Sequence, residues 1–342
     1  MDFHKHVTYH KGISAFVGIG ILLVAVICAS IALGARSLDP TAVLYALQGN
    51  RSYTEASIIV WEQRIPRTLL GVLGGMALAI GGVLAQGHTK NPLADPGLLG
   101  VTAGASLAVI FSISVLGVTT PAGFLWFAYG GAAVGTLAVL AVGMATGRRR
   151  GASPTSLVLA GAAISALFGA INSVILLLNS ATLDVYRFWT VGSLAGGRGV
   201  ESLVIVGPLL AVGAGLAVSQ SGALNVLSLG EDMAQSLGWR IGLTRLIGLI
   251  SLTLLVGGAT ALVGSLGFIG LIAPHIARGI IGTAHGKVIP LSALLGAVLV
   301  LSADVIGRLI VAPAELPVGV ILGVIGGPVF LFLVIRLFRR TR

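Results

Sequence analysis

The hydrophobic positions of this chain gather into long runs divided by short polar stretches. The runs fall at about 13–35, 67–87, 97–118, 124–146, 155–178, 199–218, 242–263, 266–283, 290–310 and 316–337. They approach or exceed the ~18 residues that a helix needs to cross hydrocarbon, and they lack the two-residue alternation of a barrel strand. Backbone groups in lipid must be paired internally, so runs of this kind predict helices. The expectation is an all-α polytopic membrane protein of about ten transmembrane helices in one domain over residues 1–342. The eighth run is short and broken by Pro274, so a count one lower or one higher also fits.

Composition changes little in that picture. Of the 342 residues 56% are hydrophobic and 9% charged, against ~25% charged in soluble domains. So little charge cannot cover a globular surface, and most of the exterior must face lipid. The lone cysteine, Cys28, lies inside the first run and forms no intrachain disulfide. That first run is longer than the ~7–15 apolar residues of a signal peptide, and it reads as a retained span.

Charge adds an orientation. With the N-terminus (1–12) inside and the spans alternating, Arg36, Arg51, Arg64, Arg67, Arg187, Arg198 and Arg308 fall outside. The other basic residues, including Arg148 to Arg150 and Lys287, fall inside. Basic residues concentrate on the cytoplasmic side of membrane proteins, so both termini are expected there. The net charge of +10 is then a topology signal rather than a nucleic-acid footprint.

Several spans are rich in glycine, such as GGMALAIGG (74–82) and LVGGATALVGSLGFIG (255–270). Small residues let helices approach closely, which makes these stretches candidates for helix contacts. A faint echo between 67–82 and 244–259 fits an inverted repeat.

Catalytic chemistry is missing. No run carries a His-Glu-x-x-His, a Gly-x-Ser-x-Gly or a ladder of carboxylates. The stretch GTAHGKV (282–288) fails as a phosphate loop, because Ile281 and Val288 stand where a glycine and a hydroxyl residue are needed. His88, His275 and His285 show no metal spacing, and no metal or cofactor is expected on this chain. Intramembrane charge comes closest at Asp304 and Arg308, one helical turn apart. That scarcity argues against a proton-coupled carrier; a secondary transporter or channel of another kind stays open at this point.

Five stretches in this order carry a resemblance. They are RIPRTLLGVLGGMALAIGGVLAQ (64–86), NPLADPGLLGVTAGA (91–105), LNVLSLGEDMAQSLGW (224–239), GFIGLIAPHIAR (267–278) and ADVIGRLIVAPAELPVGVILGVIGGPVFLFLV (303–334). Together they resemble the FecCD-type permeases, the membrane subunits of type II ABC importers for iron–siderophores, haem and vitamin B12. The resemblance implies a permease in a bacterial inner membrane, with no enzymatic activity of its own. It implies a second permease subunit and two cytoplasmic ATP-binding cassette subunits that carry ATP and magnesium. It also implies an extracytoplasmic substrate-binding protein. One departure is His88-Thr89-Lys90, where the family has an apolar pair and a basic residue; whether His88 meets substrate or is a surface position stays open.

The resemblance also assigns roles. The cytoplasmic loop at about 219–241 would couple to the ATPase through Leu229, Gly230, Glu231, Ala234, Leu237 and Gly238, with the two glycines as helix breaks. Asn91 and Leu93, flanking Pro92, would form a cytoplasmic gate with Thr155. Asn172, Leu176 and the segment 187–197 would line the path. Trp189 in that segment has a second reading as a headgroup-level anchor. Arg64, Arg67 and Arg308 would receive carboxylates of the binding protein at the outer face; they also read as snorkelling residues or as partners of Glu62 and Asp304.

Overall fold

The computed structural model of the chain describes residues 3–48, 55–146, 153–195 and 200–340. All regular structure among them is helical. The loop arginines Arg51, Arg148 to Arg150, Arg198 and Arg342, and the end of the segment 187–197, lie outside the described residues.

The chain opens with α1 (Phe3–Ala32) and the short α2 (Pro40–Leu47). Asp39 caps α2, its carboxylate accepting from Thr41 N, with Pro40 at the first helical position, where its missing N–H costs nothing. Next come α3 (Glu55–Ile58), one wide π turn (Ile59–Arg64) and α4 (Ile65–Thr89), which follow one another without a break. The helix α4 ends at Lys90, whose backbone turns left-handed (φ 50°). A 3-10 turn (Pro96–Leu99) leads into α5 (Val101–Leu116) and α6 (Pro121–Thr146). Then follow α7 (Pro154–Leu178), α8 (Ser180–Thr190), α9 (Val200–Ser219), α10 (Ser221–Leu227) and α11 (Glu231–Ser236). A second π turn (Thr253–Gly257) joins α12 (Ile241–Leu252) to α13 (Gly258–Val263), and α14 (Ile269–Ile281), α15 (His285–Ile310) and α16 (Val318–Arg340) close the chain.

Seven of the described helical stretches are long and apolar enough to cross a membrane: 12–32, 55–89, 122–145, 154–178, 201–219, 241–263 and 285–310. Three expected spans are shorter apolar helices, Val101–Leu116, Ile269–Ile281 and Val318–Leu333. Local chemistry explains the first two. The run 97–118 spends its first residues on the 3-10 turn, and the run 266–283 is bounded by Phe268 and Gly282, both at positive φ.

Burial divides the bundle. The most apolar windows of 55–89, 241–263 and 285–310 are 78%, 72% and 67% buried within the chain, while those of α1 and α7 are 6% buried. The inner rods meet through glycine. A Cβ on Gly75 would lie 2.4 Å from Gly296 O, and one on Gly296 would lie 2.2 Å from Gly75 O. Helices α4 and α15 therefore touch backbone to backbone, a contact that any larger side chain would push apart.

Candidate functional site

At one end of the bundle three arginines converge on a cavity of about 910 Å³, shared with Arg36, Glu55, Gln63 and Glu315. Their side chains are far from free. Arg64 ends the first π turn and is only 4% exposed. Its Nη1 donates to Ile31 O (2.8 Å) and Ala32 O (2.6 Å), and its Nη2 to Arg36 O (2.8 Å). Arg308, 2% exposed, donates through Nη1 to Ser30 O and Leu33 O, both at 3.0 Å, and through Nη2 to Ser30 Oγ. The last carbonyls of α1 have no partners within the helix, and cations suit the negative end of its dipole. Two arginines from elsewhere in the chain thus cap α1, whose own last turn has no basic residue.

Arg67 takes the third position. Its Nε and Nη2 bind the carboxylate of Asp304 at 2.7–3.1 Å, and its Nη1 donates to Glu315 Oε2 at 2.6 Å. Asp304 also meets Arg308 at 2.9 Å. Of the alternative partners read from sequence, Asp304 is engaged and Glu62 is exposed. The pairing with Asp304 is one the sequence allows for Arg67 and Arg308, whereas the carbonyls at the end of α1 that hold Arg64 and Arg308 have no sequence signal.

At the other end of α4, Asn91 Oδ1 accepts from Leu93 N at 2.9 Å, folding the loop on itself; Asn91 and Leu93 are half-buried. Asp95 accepts from Gly97 N at 2.8 Å, and burial pushes its carboxyl above the usual range. The 3-10 turn that follows packs against α7. Thr155 sits exposed in the first turn of α7, behind the cap formed by Ser153 Oγ and Ser156 N.

Near this end α11 runs between two glycines at positive φ, Gly230 (123°) and Gly238 (83°), a backbone that other residues rarely adopt. Leu229, Met233, Leu237 and Trp239 are exposed, whereas Ala234 is fully buried. Glu231 in the first turn pairs with Arg245 of α12 at 2.6 Å. Ala234 therefore faces the chain's own interior, and the outward apolar surface includes Met233 and Trp239, which the sequence did not single out.

In the last two turns of α7 Asn172 is buried with no partner for Oδ1, and Leu176 is half-buried. Trp189 is 2% exposed and stacks on Tyr186 with ring centroids 5.8 Å apart. That burial removes the headgroup-anchor reading of Trp189. His88 is likewise no surface position. It is buried against Gly248 of α12, with neither ring nitrogen hydrogen-bonded. His285 Nδ1 lies 2.8 Å from Asn225 Oδ1, and Arg278 hydrogen-bonds Gln86. Among the described residues no three His, Cys, Asp or Glu side chains come together as metal ligands.

These charged groups stand at the ends of a bundle whose middle is apolar, and the pattern of a transport family matches residues 22–336. The chain belongs to the FecCD transport family. FecCD relatives span nearly its whole length. The ferric enterobactin transport system permease protein FepD of Escherichia coli (strain K12) is 44% identical over 94% of this chain and 95% of its own. The hemin transport system permease protein HmuU of Yersinia pestis is 37% identical over 93% and 95%. A solved chain described as an inward-facing conformation of a metal-chelate type ABC transporter superposes with a TM-score of 0.79. It is 29% identical, and the match covers 94% of this chain and 98% of that one. This FecCD chain is therefore a multi-pass membrane permease.

Proposed function

We propose that this chain is the membrane-spanning subunit of an ATP-binding-cassette importer for a ferric siderophore, with haem and cobalamin as the next candidates. The observation that carries the cargo is the 44% identity, end to end, with a ferric enterobactin permease. In this reading the chain crosses a bacterial inner membrane about ten times, the three short apolar helices included, with both termini cytoplasmic. Two such subunits form the path, and two ATPase subunits bind ATP and magnesium below them. A substrate-binding protein delivers cargo from outside.

The roles follow the same order. Helix α11 and its flanking Leu229 and Leu237 dock on the ATPase, and the loop holding Asn91 and Leu93 gates the cytoplasmic end beside Thr155. Asn172 and Leu176 line the path, with Trp189 supporting it from the core. Binding-protein carboxylates approach the arginine cavity. Arg67 is the contact there, while Arg64 and Arg308 supply positive potential from the cavity wall.

The test is to purify the chain with its partner ATPase and binding protein and to measure ATP turnover with ferric siderophores, haem or cobalamin. The largest stimulation is expected from a ferric siderophore. Equal rates with and without all three classes would overturn the cargo assignment.

A further inference from the structure

We infer that Glu315 is a built-in competitor at the docking site: its carboxylate occupies the outer donor of Arg67 until a carboxylate of the binding protein takes that place. The inference rests on the docking role proposed above for Arg67.

The guanidinium of Arg67 offers two edges, and the two acids that hold them differ in kind. The Nε and Nη2 edge sits bidentate on Asp304, which is 0% exposed and shared with Arg308. Removing that acid would strand two guanidinium groups within the protein. The Nη1 donor meets Glu315, whose side chain is 34% exposed on the connection 311–317 between α15 and α16. Glu315 lines the cavity, so water can solvate both groups when they part. The Arg67 side chain is itself 12% exposed, so the pair is open to water on the Glu315 side, where solvent weakens the hold on the carboxylate. The inner acid is fixed and the outer one exchangeable.

An incoming carboxylate has the chemistry Glu315 already presents, and arginine's planar fork accepts either. The backbone beside Glu315 is anchored, with Leu316 N donating to Gly307 O at 3.0 Å. Exchange then needs only a rotation of the Glu315 side chain. Of the other charges lining the cavity, Glu55 is tied to Arg36, and Arg64 has only carbonyl acceptors. Glu315 is therefore the charge that most opposes an approaching acid. It lowers affinity for the docked partner, rejects weakly acidic ones, and reoccupies Arg67 on release.

The experiment uses the permease–ATPase complex in nanodiscs and, as probe, the binding protein that stimulates its ATP turnover. Affinity and on-rate are measured at low and high salt. Glu315→Gln removes the charge and keeps the size. It should tighten binding ~3–10-fold at low salt, mostly through a faster on-rate, as interface charges chiefly act. Arg67→Gln should weaken binding, and the double variant should match Arg67→Gln alone. If Glu315→Gln leaves affinity unchanged or lowers it while Arg67→Gln still weakens it, the competitor is overturned and the docking role stands. If neither substitution moves affinity, the docking role fails. A Glu315→Gln complex with a lowered melting temperature and no tightening would make the pair purely structural and also overturn the inference; Glu315→Ser serves as the second variant for that comparison.

Discussion

Asp304 and Arg67 stand 237 positions apart and are joined by three hydrogen bonds, which fasten α15 to α4 at the rim of the arginine cavity. Asp304 also neutralises Arg308, so one buried carboxylate serves two guanidinium groups. Breaking a buried pair by removing one partner costs ~3–5 kcal/mol, because the other charge is left uncompensated. Asp304→Ala should lower the melting temperature of the detergent-solubilised permease sharply, and Asp304→Asn should do so less. Wild-type melting of both variants would show that the pair carries no stability.

The end of α1 depends on arginines from distant parts of the sequence. Arg64→Met removes the donors to Ile31 O, Ala32 O and Arg36 O while keeping an unbranched apolar side chain. Hydrogen bonds to a charged donor contribute ~1.5–3 kcal/mol each, and less where water can replace the donor, as at these half-buried to exposed residues. Hydrogen–deuterium exchange should rise at residues 29–38 in this variant and stay near wild type in α15. Unchanged exchange at residues 29–38 would refute the capping role.

How much of this was legible beforehand depended on what each residue reports. The runs 124–146, 155–178 and 199–218 match α6, α7 and α9 closely, because a lipid-exposed helix must be apolar along its length. The run 67–87 understates its helix, which extends back to Glu55. Glu62, Arg64 and Arg67 interrupt the hydropathy, yet two of these charges are satisfied inside the protein. Pairings such as Arg67 with Glu315, or Arg245 with Glu231, join segments whose contact no single-sequence pattern encodes. The Gly-Gly stretches were visible as contacts but not their partners. The sequence leaves His88 open between substrate contact and surface, because a polar residue beside a loop carries no sign of the helix that covers it, here α12.

That covering helix makes a sharp test. A Cβ at position 248 would fall 1.9 Å from Nε2 of His88, too close for any real contact. Overpacking of this kind typically costs ~1–3 kcal/mol. Gly248→Ala should therefore lower stability. Most of that loss should vanish when His88→Ala is made in the same chain, because the clash belongs to the pair. Equal effects of Gly248→Ala with and without the histidine would place the cost elsewhere.

The short helix α11 separates two explanations for a coupling defect. Ala234 is fully buried, so Ala234→Arg should disturb the chain itself and lower both melting temperature and ATPase co-purification. Met233 and Leu237 are exposed on the same helix and the residue after it, apolar groups that a solvated loop has no reason to display. Met233→Asp with Leu237→Asp adds charge only at that surface. If α11 docks in an apolar groove of the ATPase, the double variant should lose ATPase co-purification at least ~10-fold, since charge at an interface core leaves a desolvated group unpaired. Its melting temperature should stay near that of the wild-type permease, because neither side chain is packed within the chain. Wild-type yields of ATPase from the double variant would remove α11 from the interface, and a loss shared equally with Ala234→Arg in melting temperature would assign the defect to folding.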